Sequence, residues 1–337
     1  MKEQEFHTHE NIVSLPWKFI FPQEKINFHR MVKDETLPLQ PIKNREDMKE
    51  AFIKLHISII LAGFTGLFGK LITLNEGLLV WYRMLFAAIM LFIILWGSGK
   101  LKRTSFREVL KIAGTGLLLG LHWVFFYGSI KAANVSIGVV CFSLVGFFTA
   151  LLEPLIIRRR VSVKELLFSL VTVCGIVLIF QFDTRYRTGI IIGVISSALA
   201  ALFTITNKKV GVRHASSMML FYEMIGGFLG LTCLLPFYLH FFPVETILPG
   251  MTNFLYLLLL SLVCTIGLYL LQIQVLKQVS AFTVNLSYNL EPVYSIILAM
   301  LFFGEAKELN LAFYAGLGLI LLSVLLQTRE ATRCKGA

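Results

Sequence analysis

Between residues 52 and 327 the chain alternates continuous apolar runs of about twenty residues with short connections rich in Lys, Arg and Gly. A helix rises about 1.5 Å per residue, so roughly 20 apolar residues cross a hydrocarbon core of about 30 Å. By that measure the pattern predicts spanning helices over 52–74, 77–97, 110–130, 135–157 and 163–182. A second set follows over 189–207, 216–241, 253–274, 281–303 and 309–327. The strands of a membrane barrel would alternate polar and apolar positions, and these runs do not. Backbone polar groups in lipid must bond within their own segment, which makes the runs helices.

The connections orient the chain. With the N-terminus in the cytoplasm, twenty Lys and Arg near helix ends fall inside, among them Lys100, Lys102, Arg103 and Arg158 to Arg160. Five fall outside: Lys70, Lys131, Arg185, Arg187 and Lys307. Such a bias places both termini in the cytoplasm and the protein in the inner, or plasma, membrane. Residues 1–50 hold no apolar run long enough for a signal peptide or a span, and are expected to form a disordered cytoplasmic tail. Residues 329–337 form a second, short tail.

The two sets of five repeat one another. Leu79-Val80-Trp81-Tyr82-Arg83-Met84-Leu85 aligns with Met219-Leu220-Phe221-Tyr222-Glu223-Met224-Ile225. Residues 58–70 align with 196–208, and Asn134-Val135-Ser136 with Gln278-Val279-Ser280. The offsets agree within loop variation. A repeat of five spans is odd in number, so the second copy enters the membrane with opposite polarity. The expected fold is therefore an all-α integral membrane protein of ten transmembrane helices, built as two inverted five-helix repeats (51–182 and 189–328) around a central cavity.

Composition agrees. Hydrophobic residues make up 56% and charged residues 15% of the chain, with a mean hydropathy of +0.76. Soluble domains carry about 45–50% and about 25%. The net charge of +11 sits in clusters between spans, where it orients helices rather than binding nucleic acid. The five cysteines lack metal-ligand spacing, and no nucleotide-binding loop, HExxH or GxSxG motif is present. No cofactor, metal or catalytic residue is expected.

Several features together resemble a known family. They are Arg83 early in the second span, the Val-Ser starts of the fourth and ninth, Glu291-Pro292 followed by Gly304-Glu305, and the Gly-rich run from Ala315 to Leu321. In this order they resemble the EamA family of the drug/metabolite transporter superfamily, over 52–327. That resemblance implies a secondary transporter with a central cavity, often an exporter of amino acids or related metabolites. Glu153-Pro154 lies later in its span than Glu291-Pro292 does, so the two pairs are not equivalent.

Ionisable groups inside spans cost about 2.5–3.5 kcal/mol at mid-helix, and so become candidates for function. Glu291 is the first, set among Asn285, Tyr288 and Asn289, with Pro292 freeing the Tyr288 carbonyl. His122, Trp123 and Tyr127 are the second group, as cavity lining. Arg83 and Glu223 occupy equivalent repeat positions and are candidate gates. Arg83 would close one with Glu76 or snorkel to the interface, and Glu223 would meet Lys208 or Arg213. Glu153 is a further gating or coupling candidate beside Arg158, and Pro154 and Pro292 are candidate kinks. The fifth and tenth spans, apolar all round with Gly175, Ala315 and Gly316, are expected to face lipid or another subunit, so that oligomers could form through them. The cavity then falls to the other eight.

A small solute moved by alternating access fits best, and zwitterionic amino acids suit one buried acid among amides, hydroxyls and aromatics. A drug or lipophilic-cation exporter is the alternative. Anionic cargo would need more intramembrane Arg and Lys, and a membrane-embedded enzyme lacks a paired nucleophile and base.

Overall fold

The computed structural model describes residues 45–158, 162–180, 186–211, 213–305 and 311–333. Most of the expected N-terminal tail, and Arg159, Arg160, Arg185 and Lys307 of the charge pattern, lie outside the described residues. Among the described residues all regular structure is helical. The helices are α1 (Arg45–Leu71), α2 (Glu76–Gly97), α3 (Phe106–Ala132), α4 (Val135–Phe142), α5 (Val145–Ile157), α6 (Val163–Phe180) and α7 (Arg187–Gly211). They continue with α8 (Ser216–Phe241), α9 (Met251–Ser261), α10 (Leu268–Leu276), α11 (Ala281–Ser287), α12 (Glu291–Phe303) and α13 (Leu311–Arg333). Eight stretches are long and apolar enough to cross a membrane, three of them formed by the pairs α4–α5, α9–α10 and α11–α12. Residues 166–179 of α6 and 311–323 of α13 are shorter apolar helices.

Local chemistry sets the boundaries. Asn75 caps α2 by accepting from the Gly77 amide at 2.9 Å, and Asn134 caps α4 through the Ile137 amide at 2.9 Å. Ser280 caps α11 through the Thr283 amide at 3.0 Å. Such side-chain acceptors satisfy amides that have no partner inside the helix. Gly304, at φ +67°, stops α12 in the left-handed region that glycine enters without strain. α1 starts at Arg45, seven residues before the apolar run, where Glu50 and Lys54 pair at 2.7 Å. α13 runs to Arg333, through the first residues of the expected C-terminal tail.

Three spans are interrupted midway. α4 and α5 meet at a tight turn in which Ser143 and Leu144 donate to Val140 and Cys141. α11 and α12 are joined by a 3-10 turn over Tyr288–Leu290, and α9 and α10 by a π-turn over Leu262–Gly267. Pro292 sits at the start of α12, directly after the 3-10 turn. Its missing amide does not free the Tyr288 carbonyl, however. The Glu291 amide takes that carbonyl as the helix tightens. Pro154 lies inside α5, and the interruption of its span is about three turns earlier, at Ser143-Leu144.

α3 packs closely against α7 and α8. A Cβ at Gly116 would overlap the Glu223 carbonyl, so α3 and α8 approach backbone to backbone only because Gly116 has none. α6 and α13 do the same through Gly175 and Gly316, and Thr172 donates to Ser323 at 3.0 Å between them. Two of the small residues expected to face lipid or a second subunit, Gly175 and Gly316, are thus used inside the chain, while Ala315 stays exposed. Leu167, Leu170, Val177, Leu322 and Leu325 remain exposed on the pair.

Candidate functional site

A cavity of about 40 Å³, room for a few water molecules, lies within the bundle. Its walls come from α1, α2, α3 and α4 on one side and α7, α10, α11, the 3-10 turn and α12 on the other. Residues of α6 and α13 take no part in it.

Arg83 is the best-anchored group on the wall, with 1% of its surface exposed. Its Nε donates to Thr265 Oγ1 at 2.7 Å, Nη1 to the Tyr127 hydroxyl at 2.7 Å, and Nη2 to the Cys264 carbonyl at 2.9 Å. The π-turn explains the last bond. The Leu268 amide would reach Cys264 in an α-helix, but here it bonds Val263 and Thr265 instead. The guanidinium carbon lies 3.6 Å from the centre of the Trp123 ring, a cation–π contact, and Trp123 donates to the Tyr269 hydroxyl at 3.0 Å. Ser261 donates to the Arg83 carbonyl at 3.1 Å. A planar fork with fixed donors suits this three-point fastening, and a lysine could not reproduce it.

Glu291 faces the same cavity from the first turn of α12 and is 4% exposed. Its carboxylate accepts no hydrogen bond among the described residues. Gln272, also on the wall, leaves its Oε1 without a partner. Asn285 instead donates to Thr149 at 2.8 Å and Tyr288 to Ser58 at 3.1 Å, so both are held by the protein. His122 Nδ1 lies 3.0 Å from the Ser196 carbonyl and 2.9 Å from its hydroxyl, which fixes the ring beside Phe126 and Phe142. The wall therefore offers a clamped cation, acceptors in need of donors, and aromatic faces.

The family comparison divides the chain along the same line. The model of the EamA-like transporter family matches residues 51–181 and again residues 187–329. The chain belongs to that family. Arg83, His122 and Trp123 come from the first matched segment of this EamA-like protein, and Gln272, Tyr288 and Glu291 from the second. A solved structure described only as "Crystal structure of protein" is similar in fold, with a TM-score of 0.63 and 18% identity. The match covers 85% of this chain and 99% of that one. No curated protein matches.

Other expectations are corrected. Arg83 neither snorkels nor meets Glu76, because its helix turns it to the interior. Glu76 accepts from the Tyr238 hydroxyl instead. Glu223 meets neither Lys208 nor Arg213. It is fully buried and accepts from Thr115 at 2.8 Å and Asn207 at 2.7 Å, while Lys208 bonds the Val279 carbonyl. Tyr127 stands behind the wall as a partner of Arg83. Asn289 is buried with Oδ1 unpartnered, off the cavity and toward Gly146. Glu153 is buried in α5, also off the cavity.

One EamA-like motif gains a clear role. Glu305, just past α12 and outside the spans, accepts from Lys70 at 2.9 Å, from the Ser136 hydroxyl at 2.7 Å and amide at 3.1 Å, and from the Val135 amide at 3.3 Å. Burial alone would raise its carboxyl. The Ser136 hydroxyl and amide, with Lys70, outweigh burial and hold it below the usual carboxylate range. Position Ser136 at a helix start and Glu305 after a stop signal were visible in the sequence, but their meeting across 169 residues was not.

Proposed function

We propose that this chain is a secondary transporter that carries a small zwitterionic solute, an amino acid or close relative, by alternating access. The observation that carries the reading is the pairing, on one buried cavity wall, of the clamped Arg83 guanidinium with the unpartnered Glu291 carboxylate. A solute carboxylate would take the remaining Arg83 N–H groups. Its ammonium would satisfy Glu291 and the Gln272 oxygen, and its side chain would lie against Phe126, Phe142 and Phe203.

Ten spans in two inverted repeats, with both termini cytoplasmic, complete the proposal. Interruptions fall at 143–144 and 288–290, positions separated by nearly the offset of the adjacent Val-Ser alignment. Paired broken helices at corresponding positions mark the binding level in transporters built this way. The cavity is too small for an amino acid, which supports a state with its walls drawn together. In that state Glu305 ties α12, α4 and Lys70 of α1 at the predicted outer end, where they would act as a gate. Arg83 on the wall argues against permanently cationic drugs, which it would repel.

The test is tryptophan fluorescence of the purified protein against matched ligands, with Trp123 as reporter and Trp123→Phe as control. Amino acids should change the signal, while the corresponding amines and the corresponding acids lacking the amino group should not. A response to hydrophobic amines alone would favour the cation exporter.

A further inference from the structure

Glu223 lies away from the cavity, toward the end of the bundle that carries the 98–105 connection and the turn after α7. It is fully buried among α3, α7 and α8. The hydrogens around it do not add up for a carboxylate. Thr115 Oγ1 stands 2.7 Å from the Ile112 carbonyl and 2.8 Å from Glu223 Oε1. A threonine hydroxyl has one hydrogen. If it goes to the Ile112 carbonyl, as is usual for a helical threonine, the short contact to Glu223 lacks a hydrogen unless Glu223 supplies one. Two further acceptors in the cluster, Glu223 Oε2 and Asn207 Oδ1, also lack partners. The cluster is short of protons.

Among the described residues no cation is seen to supply the deficit. On α3, Lys111 pairs with Glu108, which also takes His214, and His122 is held by Ser196. On α7, Lys208 bonds the Val279 carbonyl, and Lys209 is not among the partners of Glu223. On α2, Arg83 is fastened to Tyr127, Thr265 and Cys264. Beyond α10, Lys277 bonds the His214 carbonyl. Arg213, in the turn before α8, makes no bond to Glu223 either. An ionised carboxylate in this setting would be buried without a counter-charge, which proteins avoid by protonation.

We propose that Glu223 is a proton-binding site, separate from the solute cavity, and is a neutral acid donating to Thr115 in this conformation. When α3 and α8 separate at this end of the bundle, water reaches the acid. The Oε–H bond breaks, the proton passes to water, and the hydrated carboxylate remains. Protonation thereby favours the closed end, and a proton moves against the solute cycle. The site itself does not depend on the identity of the solute; only its coupling role rests on the transporter reading.

The test uses the full chain in lipid nanodiscs, without solute, by infrared spectroscopy at neutral pH in potassium and in sodium buffer. The wild-type-minus-Glu223→Gln difference should contain a carboxylic-acid C=O band worth one acid per chain, in both buffers. The Thr115→Val variant, which removes the acceptor of that proton, should shift the band. A difference containing only carboxylate bands overturns the proposal, as does a band that sodium abolishes, which would mark a sodium site. Should Glu223→Gln fail to fold, an acid band unmoved by Thr115→Val overturns it as well. Loss of all solute binding with the band intact would refute the cavity reading alone.

Discussion

At the scale of single residues, Arg83 and Glu291 should respond to substitution in opposite ways. Three of the five Arg83 N–H groups are bonded, and Arg83→Lys leaves Tyr127, Thr265 and the Cys264 carbonyl to a single ammonium nitrogen that cannot reproduce the fork. Each lost charge-assisted bond is worth about 1.5–3 kcal/mol, so both the melting temperature and solute affinity should fall, the latter by about tenfold or more. Glu291 has no bond to lose. Glu291→Gln should leave the melting temperature unchanged or raised, because no hydrogen bond is lost with the buried carboxyl group, while solute affinity drops by at least about tenfold. Thermal unfolding and ligand titration on the two purified variants check both. The sequence made both residues candidates on cost alone, since a charge inside a span stands out by composition. It could not say which way Arg83 turns, because that depends on the Tyr127 and Thr265 partners 44 and 182 residues away.

At the scale of helices, Glu305 makes a pH-dependent joint. Its carboxyl is held below the ordinary value, so its contribution is present above the unfolded value of about 4.3 and is lost as pH falls through the lower folded value. The wild-type melting temperature should therefore decline toward acid pH with a component that Glu305→Gln lacks. At neutral pH that variant should be less stable by about 1.5–3 kcal/mol. The α3–α8 contact makes a second prediction. Gly116→Leu would drive a side chain into the Glu223 backbone and should destabilise by roughly 1–3 kcal/mol or more, read by thermal unfolding in detergent.

Helix positions were legible because twenty apolar residues bounded by charges admit one reading in lipid. The interruption at Ser143-Leu144 was not, because it has no proline and is only a local tightening to two i-to-i+3 bonds. Proline drew attention to Pro154, which lies inside α5 and away from that interruption. The roles of Gly175 and Gly316 were half legible. A small residue announces close approach, but the partner it serves, here another helix of the same chain, is a fact of packing.

At the scale of the whole molecule, the proposed alternating access would require the Lys70–Glu305 joint to open and close in each cycle. With both residues replaced by cysteine, a short bifunctional thiol reagent should block transport in proteoliposomes, and a linker cleaved by reductant should restore it. Singly substituted proteins control for reaction at Cys174 and Cys233, which are exposed. Uninterrupted transport after complete cross-linking would show that this end does not move. The central claim is that the Arg83–Glu291 cavity carries a zwitterionic solute across the membrane. It is tested most directly by comparing intracellular and extracellular metabolites in a bacterial host expressing the unaltered protein, Glu291→Gln, or neither. Accumulation of an amino acid outside the cells only with the unaltered protein is the predicted result. Equal export by the Glu291→Gln strain would contradict it.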